Sequence, residues 1–122
     1  MELPNFYIGT DIVEVKRINK LLLRTGERFK NKVFTALEQK YCDSKSIPAI
    51  HYAGRFAAKE AIIKALKSSG FKQPTPFHLI EIKSGSDGEP IVNLDFPCSG
   101  KFRVSISHTE SHAIASAIFI SK

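Results

Sequence analysis

A single long helix constrains this sequence more than any other feature. The apolar residues of segment 49–69 recur at helical spacing, Gly70 follows as a stop signal, and Pro48 stands where a first-turn proline is favoured. A chain of 122 residues is long enough for one domain with a sizeable core and short for two. We therefore expect a single domain over residues 1–122, built around this helix.

The rest of the sequence alternates between short helical and extended patterns. An alternating segment at 6–13 predicts a strand, and Gly26 ends a helical segment at 15–24. Thr35 and Glu38 form a capping-box signature that opens a short helix through about Cys42. Four further strands are predicted, at 78–83, 90–94, 101–107 and 113–120, the first two as a hairpin. The order predicts an α+β fold: a compact single domain whose antiparallel sheet packs against the long helix and shorter helices.

Two carboxylates occupy positions that are otherwise apolar. A turn of about 100° per residue places Glu60 on the helical stripe between Phe56 and Ile63. Asp11 lies inside the first strand, where aspartate is uncommon. Glu60 can instead form an exposed pair with Lys64 one turn later, and Asp11 can cap a nearby helix. Taken together, two hard oxygen donors from separate elements suggest a magnesium site.

A third polar feature ends the predicted strand at 101–107. Residues 105–109 read SISHT, and His108 at such a strand end can contact phosphate or carry protons, although an exposed loop histidine is the simpler interpretation. The sequence contains neither of the common glycine-rich phosphate-binding motifs and no zinc-ligand spacing.

The net charge limits the kinds of partner that this chain suits, and the amino-terminal residues and cysteines indicate its cellular compartment. A formal net charge of +6 suits an anionic partner, which can be nucleic acid, a polyphosphate cofactor or an acidic protein. Residues 1–5 lack a basic segment typical of a signal peptide, and no apolar run is long enough to span a membrane. Cys42 and Cys98 lack metal or redox spacing, so we expect reduced thiols in a cytoplasmic protein.

Three segments carry a family resemblance. Residues 8–18 (IGTDIVEVKRI), 55–65 (RFAAKEAIIKA) and 105–109 (SISHT) resemble, in order and spacing, the signatures of the holo-[acyl-carrier-protein] synthases. The resemblance implies transfer of 4′-phosphopantetheine from coenzyme A to a serine of apo acyl carrier protein, with release of 3′,5′-ADP, in support of fatty acid biosynthesis. It also implies a homotrimer with active sites between subunits. Pockets form readily where domains meet, which independently favours an oligomer.

The same resemblance assigns the reaction centre. By position, Asp11 and Glu60 would bind Mg²⁺, and Lys64 would lie against the pyrophosphate of coenzyme A. Phosphoryl transfer mainly requires charge neutralisation and in-line positioning, which a metal and a lysine supply. The serine also needs a base: Glu60 is the first candidate, a metal-held water beside it is a second, and Lys59 is a weaker one because its pKa would have to fall by several units.

The resemblance also assigns the binding residues. Arg55 and His108, together with Lys64, would contact coenzyme A, with Arg55 and His108 at its nucleotide end. Arg17 and Arg24, seven residues apart on one helical face, would meet the acidic helix of the carrier protein.

Two other functions compete with the enzyme. A small nucleic-acid-binding domain would explain the basic charge and the basic-aromatic run at 101–103, but the two acids would repel a phosphate backbone unless they held a metal. A carrier-protein-binding module without catalysis would use Arg17 and Arg24 but neither acid. The family resemblance decides in favour of the enzyme, so we expect no nucleic-acid partner and no membrane association.

Overall fold

The computed structural model describes residues 5–122, so most of the amino-terminal segment that argues against a signal peptide lies outside the described residues. The helices are α1 (Val15–Thr25), α2 (Glu27–Val33), α3 (Ala36–Asp43) and α4 (Pro48–Ser68). The strands are β1 (Phe6–Glu14), β2 (Ile80–Ser84), β3 (Pro90–Leu94), β4 (Gly100–His108) and β5 (His112–Ser121). Among these elements, no helix is long and apolar enough to cross a membrane.

The strands form two antiparallel sheets. β1, β5 and β4 make a three-stranded sheet in that order, and β2 pairs with β3 as the predicted hairpin. The α+β prediction is confirmed, and every predicted helix and strand is present, with boundaries that move by at most two residues. Helix α2 was not predicted. It follows directly on Gly26, whose positive φ of 58° ends α1 and starts the next helix.

Helix α4 is the centre of the fold. It lies across the three-stranded sheet and is buried around most of its circumference, because its five buried alanines allow strands and helices to approach closely. At Gly9, a Cβ atom would overlap the carbonyl oxygen of Ala61, so only glycine lets β1 cross α4 at this distance. The close crossing fixes where the side chains of β1 lie relative to those of α4.

Three apolar residues of β1 lie on the opposite face of the sheet from α4. Phe6, Ile8 and Ile12 are 59%, 68% and 64% exposed, and on β5 Ile114 and Ile118 are also exposed. Ile8 pairs with Ile118 and Ile12 with Ile114, so these side chains form two apolar pairs on one face of the sheet, with the Thr10–Ser116 pair between them. We call these five residues the outer face. An exposed apolar surface of this kind on a sheet marks an interaction site.

Candidate active site

The structure brings Asp11 and Lys64 into direct contact. Asp11 lies on the face of β1 that packs toward α4, and its Oδ1 is 3.2 Å from Lys64 Nζ. The same ammonium group donates a hydrogen bond of 3.0 Å to the carbonyl oxygen of Thr10. The Lys64 side chain is half exposed, whereas that of Asp11 is largely covered. The pair lies at the β1 edge of the three-stranded sheet, open to solvent.

Glu60 completes this cluster one helical turn before Lys64. Its carboxyl is half-buried, and burial is the main reason that its pKa is raised; the negative charge of Asp11 raises it further, while Lys64, Lys67 and Arg17 oppose the shift. The two carboxylates are therefore near enough to repel each other. With one ammonium beside them, the three groups carry net negative charge, which favours a divalent cation.

The prediction that Glu60 interrupts a buried stripe is wrong in its detail. Phe56, Glu60 and Ile63 all lie at the edge of the buried surface of α4 and are half-buried. The charged residue that the core encloses is Lys59, which is fully buried and forms an ion pair of 2.6 Å with the equally buried Glu38 of α3. Of the neighbouring residues Lys59 and Glu60, the helical repeat predicted that Glu60 is the buried one. Lys59 is buried instead, because residues of α3 cover its flank of the helix.

All three N–H donors of the Lys59 ammonium group have partners in this environment. Its ammonium group also donates to the carbonyl oxygens of Val33 at 2.6 Å and Phe77 at 3.0 Å. Glu38 accepts in turn from the backbone N–H groups of Thr35 and Ile82. Burial lowers the pKa of Lys59, and the charge of Glu38 opposes that shift. The pair is a satisfied buried network that joins α4 to α3 and β2, away from solvent.

Arg55 lies in a second polar site on the other flank of α4. It is 7% exposed, its Nη2 donates to Ser84 Oγ at 3.0 Å, and its Nε is buried without a hydrogen-bond partner among residues 5–122. The guanidinium carbon lies 4.2 Å from the centre of the Tyr41 ring. An unpaired buried donor of this kind is costly unless a ligand or water satisfies it.

A cavity of about 480 Å³ opens beside Arg55. Its lining comes from α3, α4 and β2 and consists of Leu37, Lys40, Tyr41, Ser44, Arg55, Ile82, Lys83 and Ser84. Three of these residues are cationic and none is acidic, and an aromatic ring lies beside the guanidinium group. This composition suits a phosphate group attached to a planar heterocycle.

His108 lies at the exposed end of β4, near this cavity. Its ring centre is 6.0 Å from that of His51, and the His51 ring is in turn 5.9 Å from that of Tyr41. Arg55 and His108 are therefore linked through two aromatic residues. The sequence patterns identified neither His51 nor Tyr41, because each lies on a helix whose periodicity makes it an ordinary surface residue.

The two polar sites of one chain lie on opposite flanks of α4. Arg55 precedes Glu60 by five residues, which separates them by about 140° around the helix axis. Asp11 is on β1 and His108 on β4, the two edge strands that flank β5. The structure thus joins Asp11, Glu60 and Lys64 in one site and Arg55 with His108 in another, and it does not bring Lys64 to the second site within a single chain.

The predicted docking arginines lie together on α1. Arg17 and Arg24 are exposed on the same side of the helix, and with Glu14, Lys20 and Leu21 they line a groove of about 380 Å³. Lys20 adds a third cation between them. The groove is continuous with the end of β1, so the basic surface begins close to the strand that carries Asp11.

Comparisons with known proteins agree with this architecture. Residues 7–117 match the family model of the 4′-phosphopantetheinyl transferase superfamily. The holo-[acyl-carrier-protein] synthase of Protochlamydia amoebophila is 43% identical over 119 residues, which cover 93% of this chain and 97% of that protein. The enzyme of the same name from Chlorobaculum parvum is 46% identical over 112 residues, covering 91% of this chain and 95% of that protein.

Solved structures show the same fold. A Chronobacterium ammoniagenes ACPS–CoA complex superposes with a TM-score of 0.85 at 27% identity, over 97% of this chain and 98% of that one. A Bacillus anthracis holo-(acyl-carrier-protein) synthase in complex with CoA (3′,5′-ADP) gives a TM-score of 0.79 at 30% identity, over 95% and 96% of the two chains.

Fold and family match together define a phosphopantetheinyl transferase, an enzyme of the α+β class. Within that superfamily, the chain belongs to the holo-[acyl-carrier-protein] synthases, because relatives with that name are 43–46% identical to it over alignments that cover more than 90% of the chain. The resemblance carried by residues 8–18, 55–65 and 105–109 is confirmed.

Proposed function

We propose that this enzyme transfers the 4′-phosphopantetheine group of coenzyme A to a serine hydroxyl of apo acyl carrier protein in the cytoplasm, releasing 3′,5′-ADP, in support of fatty acid biosynthesis. The observation that carries the proposal is the grouping of Asp11, Glu60 and Lys64 at one open edge of the sheet. Two carboxylates and an ammonium group are the parts that a metal-assisted phosphoryl transfer requires.

Asp11 and Glu60 fit Mg²⁺ as ligands. Mg²⁺ is commonly held by one or two carboxylates while water and substrate phosphates complete its octahedron. With Asp11 and Glu60 as its protein ligands, the ion would keep coordination positions for water and phosphate. Bound Mg²⁺ would supply charge neutralisation at the pyrophosphate.

Lys64 and Glu60 perform the remaining chemistry in this proposal. Lys64 is half exposed, and within residues 5–122 its contacts are Asp11 and Thr10, so in this proposal its ammonium group turns toward the departing phosphate and stabilises its charge. Glu60 lies beside it and accepts the proton of the attacking serine, directly or through a water. Lys59 is a poor base in this structure, because its ammonium group is fully buried and fully hydrogen-bonded.

The second site receives the nucleotide end of coenzyme A. Arg55 offers an unpaired Nε, Lys40 and Lys83 add positive charge, and the cavity is large enough for a phosphate with part of an adenosine. His108 contributes from the adjoining strand end. The basic groove of α1, which contains Arg17 and Arg24, receives the acidic carrier protein.

A homotrimer reconciles the two sites. The outer face exposes five large apolar side chains that a second copy of the chain would cover. Because Arg55 and His108 lie on the opposite flank of α4 from Asp11 and Glu60, contact between subunits lets one subunit supply the metal site and its neighbour the nucleotide site. The number three comes from the family resemblance.

The direct test uses the intact protein with coenzyme A, MgCl₂ and apo acyl carrier protein, followed by intact-mass measurement of the carrier. We expect a mass gain of one phosphopantetheine group and release of 3′,5′-ADP. Omitting Mg²⁺ and adding a chelator should stop the reaction, and Mg²⁺ in excess should restore it. A carrier that keeps its mass under all conditions would refute the proposed function.

A further inference from the structure

Two aromatic residues bridge the space between Arg55 and His108. The Arg55 guanidinium carbon lies 4.2 Å from the centre of the Tyr41 ring, and the Tyr41 ring meets His51 at 5.9 Å with an angle of 80° between planes. The His51 ring then meets that of His108 at 6.0 Å and 65°. Both ring pairs are edge-to-face, within the 4.5–7 Å range in which aromatic contacts are favourable.

The bridge connects three elements of the fold. Tyr41 comes from α3, His51 and Arg55 from α4, and His108 from the exposed end of β4. A side chain at an exposed strand end has several accessible rotamers, and it loses that freedom when a ligand binds. Packing against His51 removes part of this freedom before the ligand arrives.

We propose that His51 is a positioning residue that fixes the His108 ring, as Tyr41 fixes the Arg55 guanidinium group, so that the two groups assigned to the nucleotide end of coenzyme A are set relative to each other in advance. This inference rests on the proposed function of the second site. Preorganisation of this kind raises affinity because less conformational entropy is lost on binding.

The charge of His51 is consistent with a packing role. Burial, followed by the positive charges of Lys45, His108 and Arg55, lowers the pKa of His51 below its ordinary value. At neutral pH His51 is therefore an uncharged ring. It contributes an aromatic surface to the bridge and leaves the binding of phosphate to Arg55 and His108.

The test compares His51→Ala, which removes the ring, with His51→Phe, which keeps an aromatic ring at the same position. The probe is 3′,5′-ADP, and its dissociation constant is measured by calorimetry. We expect His51→Ala to weaken binding by about three- to tenfold, the range that an edge-to-face pair supports. His51→Phe should keep most of the wild-type affinity for 3′,5′-ADP. In turnover assays the KM for coenzyme A should rise while kcat stays nearly unchanged.

A double variant and a spectroscopic measurement separate positioning from general stability. In a His108→Ala background, His51→Ala should have no further effect on 3′,5′-ADP binding, because the ring that it positions is gone. The side-chain NMR signals of His108 should move in His51→Ala and stay near their original place in His51→Phe, with no ligand added. Equal 3′,5′-ADP affinity in the wild type and His51→Ala, additive losses in the double variant, or unmoved His108 signals would each overturn the inference.

Failure of the proposed function gives a different result. If the wild-type protein does not bind 3′,5′-ADP, the assignment of the nucleotide site is wrong, whatever the NMR signals show. If the wild type binds 3′,5′-ADP and the His51 variants bind it with the same affinity, the assignment of the nucleotide site stands and the positioning role of His51 is wrong.

Discussion

Lys64 Nζ lies 3.2 Å from Asp11 Oδ1, which joins helix α4 to strand β1 at the point where a divalent cation would bind. The Lys64 ammonium group thus neutralises a carboxylate that Mg²⁺ would need as a ligand. Because its side chain is half exposed, the ion pair is weak and easily exchanged. In the proposed mechanism, a Lys64 side chain released from Asp11 would be free to reach the phosphate, so that one residue would serve two anions in succession.

Lys64→Met should therefore strengthen metal binding while it impairs catalysis. With Mn²⁺ alone as the probe, we expect an affinity about two- to fivefold higher than that of the wild type, because a competing cation is removed from Asp11. Transfer to the carrier should fall by about 100-fold, since the departing phosphate loses its cation. Lys72→Met, an exposed lysine away from this site, is the control for the change in net charge. Unchanged Mn²⁺ affinity in Lys64→Met would contradict this account.

Asp11→Ala and Glu60→Ala should each reduce transfer by at least about 100-fold while the fold stays intact. Removal of either acid relieves repulsion between two neighbouring carboxylates, so the melting temperature without metal should stay constant or rise. Initial rates from intact-mass assays and thermal unfolding check the two parts. Glu110→Ala, an exposed acid outside the cluster, should leave both unchanged. Wild-type turnover at low Mg²⁺ in both variants would exclude the metal assignment.

Arg17→Glu and Arg24→Glu should raise the KM for carrier protein far more than the KM for coenzyme A. Exposed charges act mainly on the association rate, so the difference should shrink as ionic strength rises. The measurement is KM for each substrate at low and high salt. Arg28→Glu, an exposed arginine on α2, controls for net charge. Equal effects on both substrates would remove the docking role from α1.

Lys59→Met should destabilise the fold more than any of these changes. It leaves Glu38 buried without its cation, a situation that costs about 3–5 kcal/mol. Urea unfolding measures the loss. Lys67→Met on the exposed side of the same helix should change the free energy of unfolding by less than about 0.5 kcal/mol. Similar stabilities for the two variants would show that the buried pair is not needed for the packing of α3 against α4.

The helix boundaries show which features of the fold the local sequence specifies. The Thr35–Glu38 capping box predicted the start of α3 correctly, and both of its reciprocal hydrogen bonds are present. Pro48 and Gly70 likewise bracket α4 closely, because backbone preferences act within a few residues. Helix α2 was missed because its seven residues are mostly polar and include only two large apolar side chains, which is too short for a clear period.

The site was predictable only in part, for a different reason. Asp11 and Glu60 stand out in the sequence because acids are unusual within apolar patterns, and Lys64 is assigned by the family resemblance. The proximity of the three residues is a finding of the structure. Lys59 and its partner Glu38 gave no such signal, since their attraction depends on two helices meeting in space. The bridge formed by Tyr41 and His51 depends on contacts among three elements, which no single periodicity reports.

The outer face gives the last prediction, that the active form is an oligomer. Ile118 lies on the outer face between Ile8 of β1 and Arg103 of β4, and a charge placed there would be buried if a second copy covers it. Ile118→Glu should therefore yield a folded monomer, because burying a carboxylate is costly even when a cation such as Arg103 can pair with it. Sedimentation should show the mass of a single chain, compared with three chains for the wild type.

Loss of activity should accompany that dissociation if the two polar sites come from neighbouring subunits. Ile47→Glu offers a matched control, since Ile47 is similarly exposed but lies just before α4, outside the outer face and outside both polar sites. We expect it to remain an oligomer with normal transfer. Mixing inactive Asp11→Ala chains with inactive Arg55→Ala chains should restore part of the activity, because some interfaces then combine an intact metal site with an intact nucleotide site. A wild-type protein that sediments as a monomer at full activity would defeat both the oligomer and the shared site.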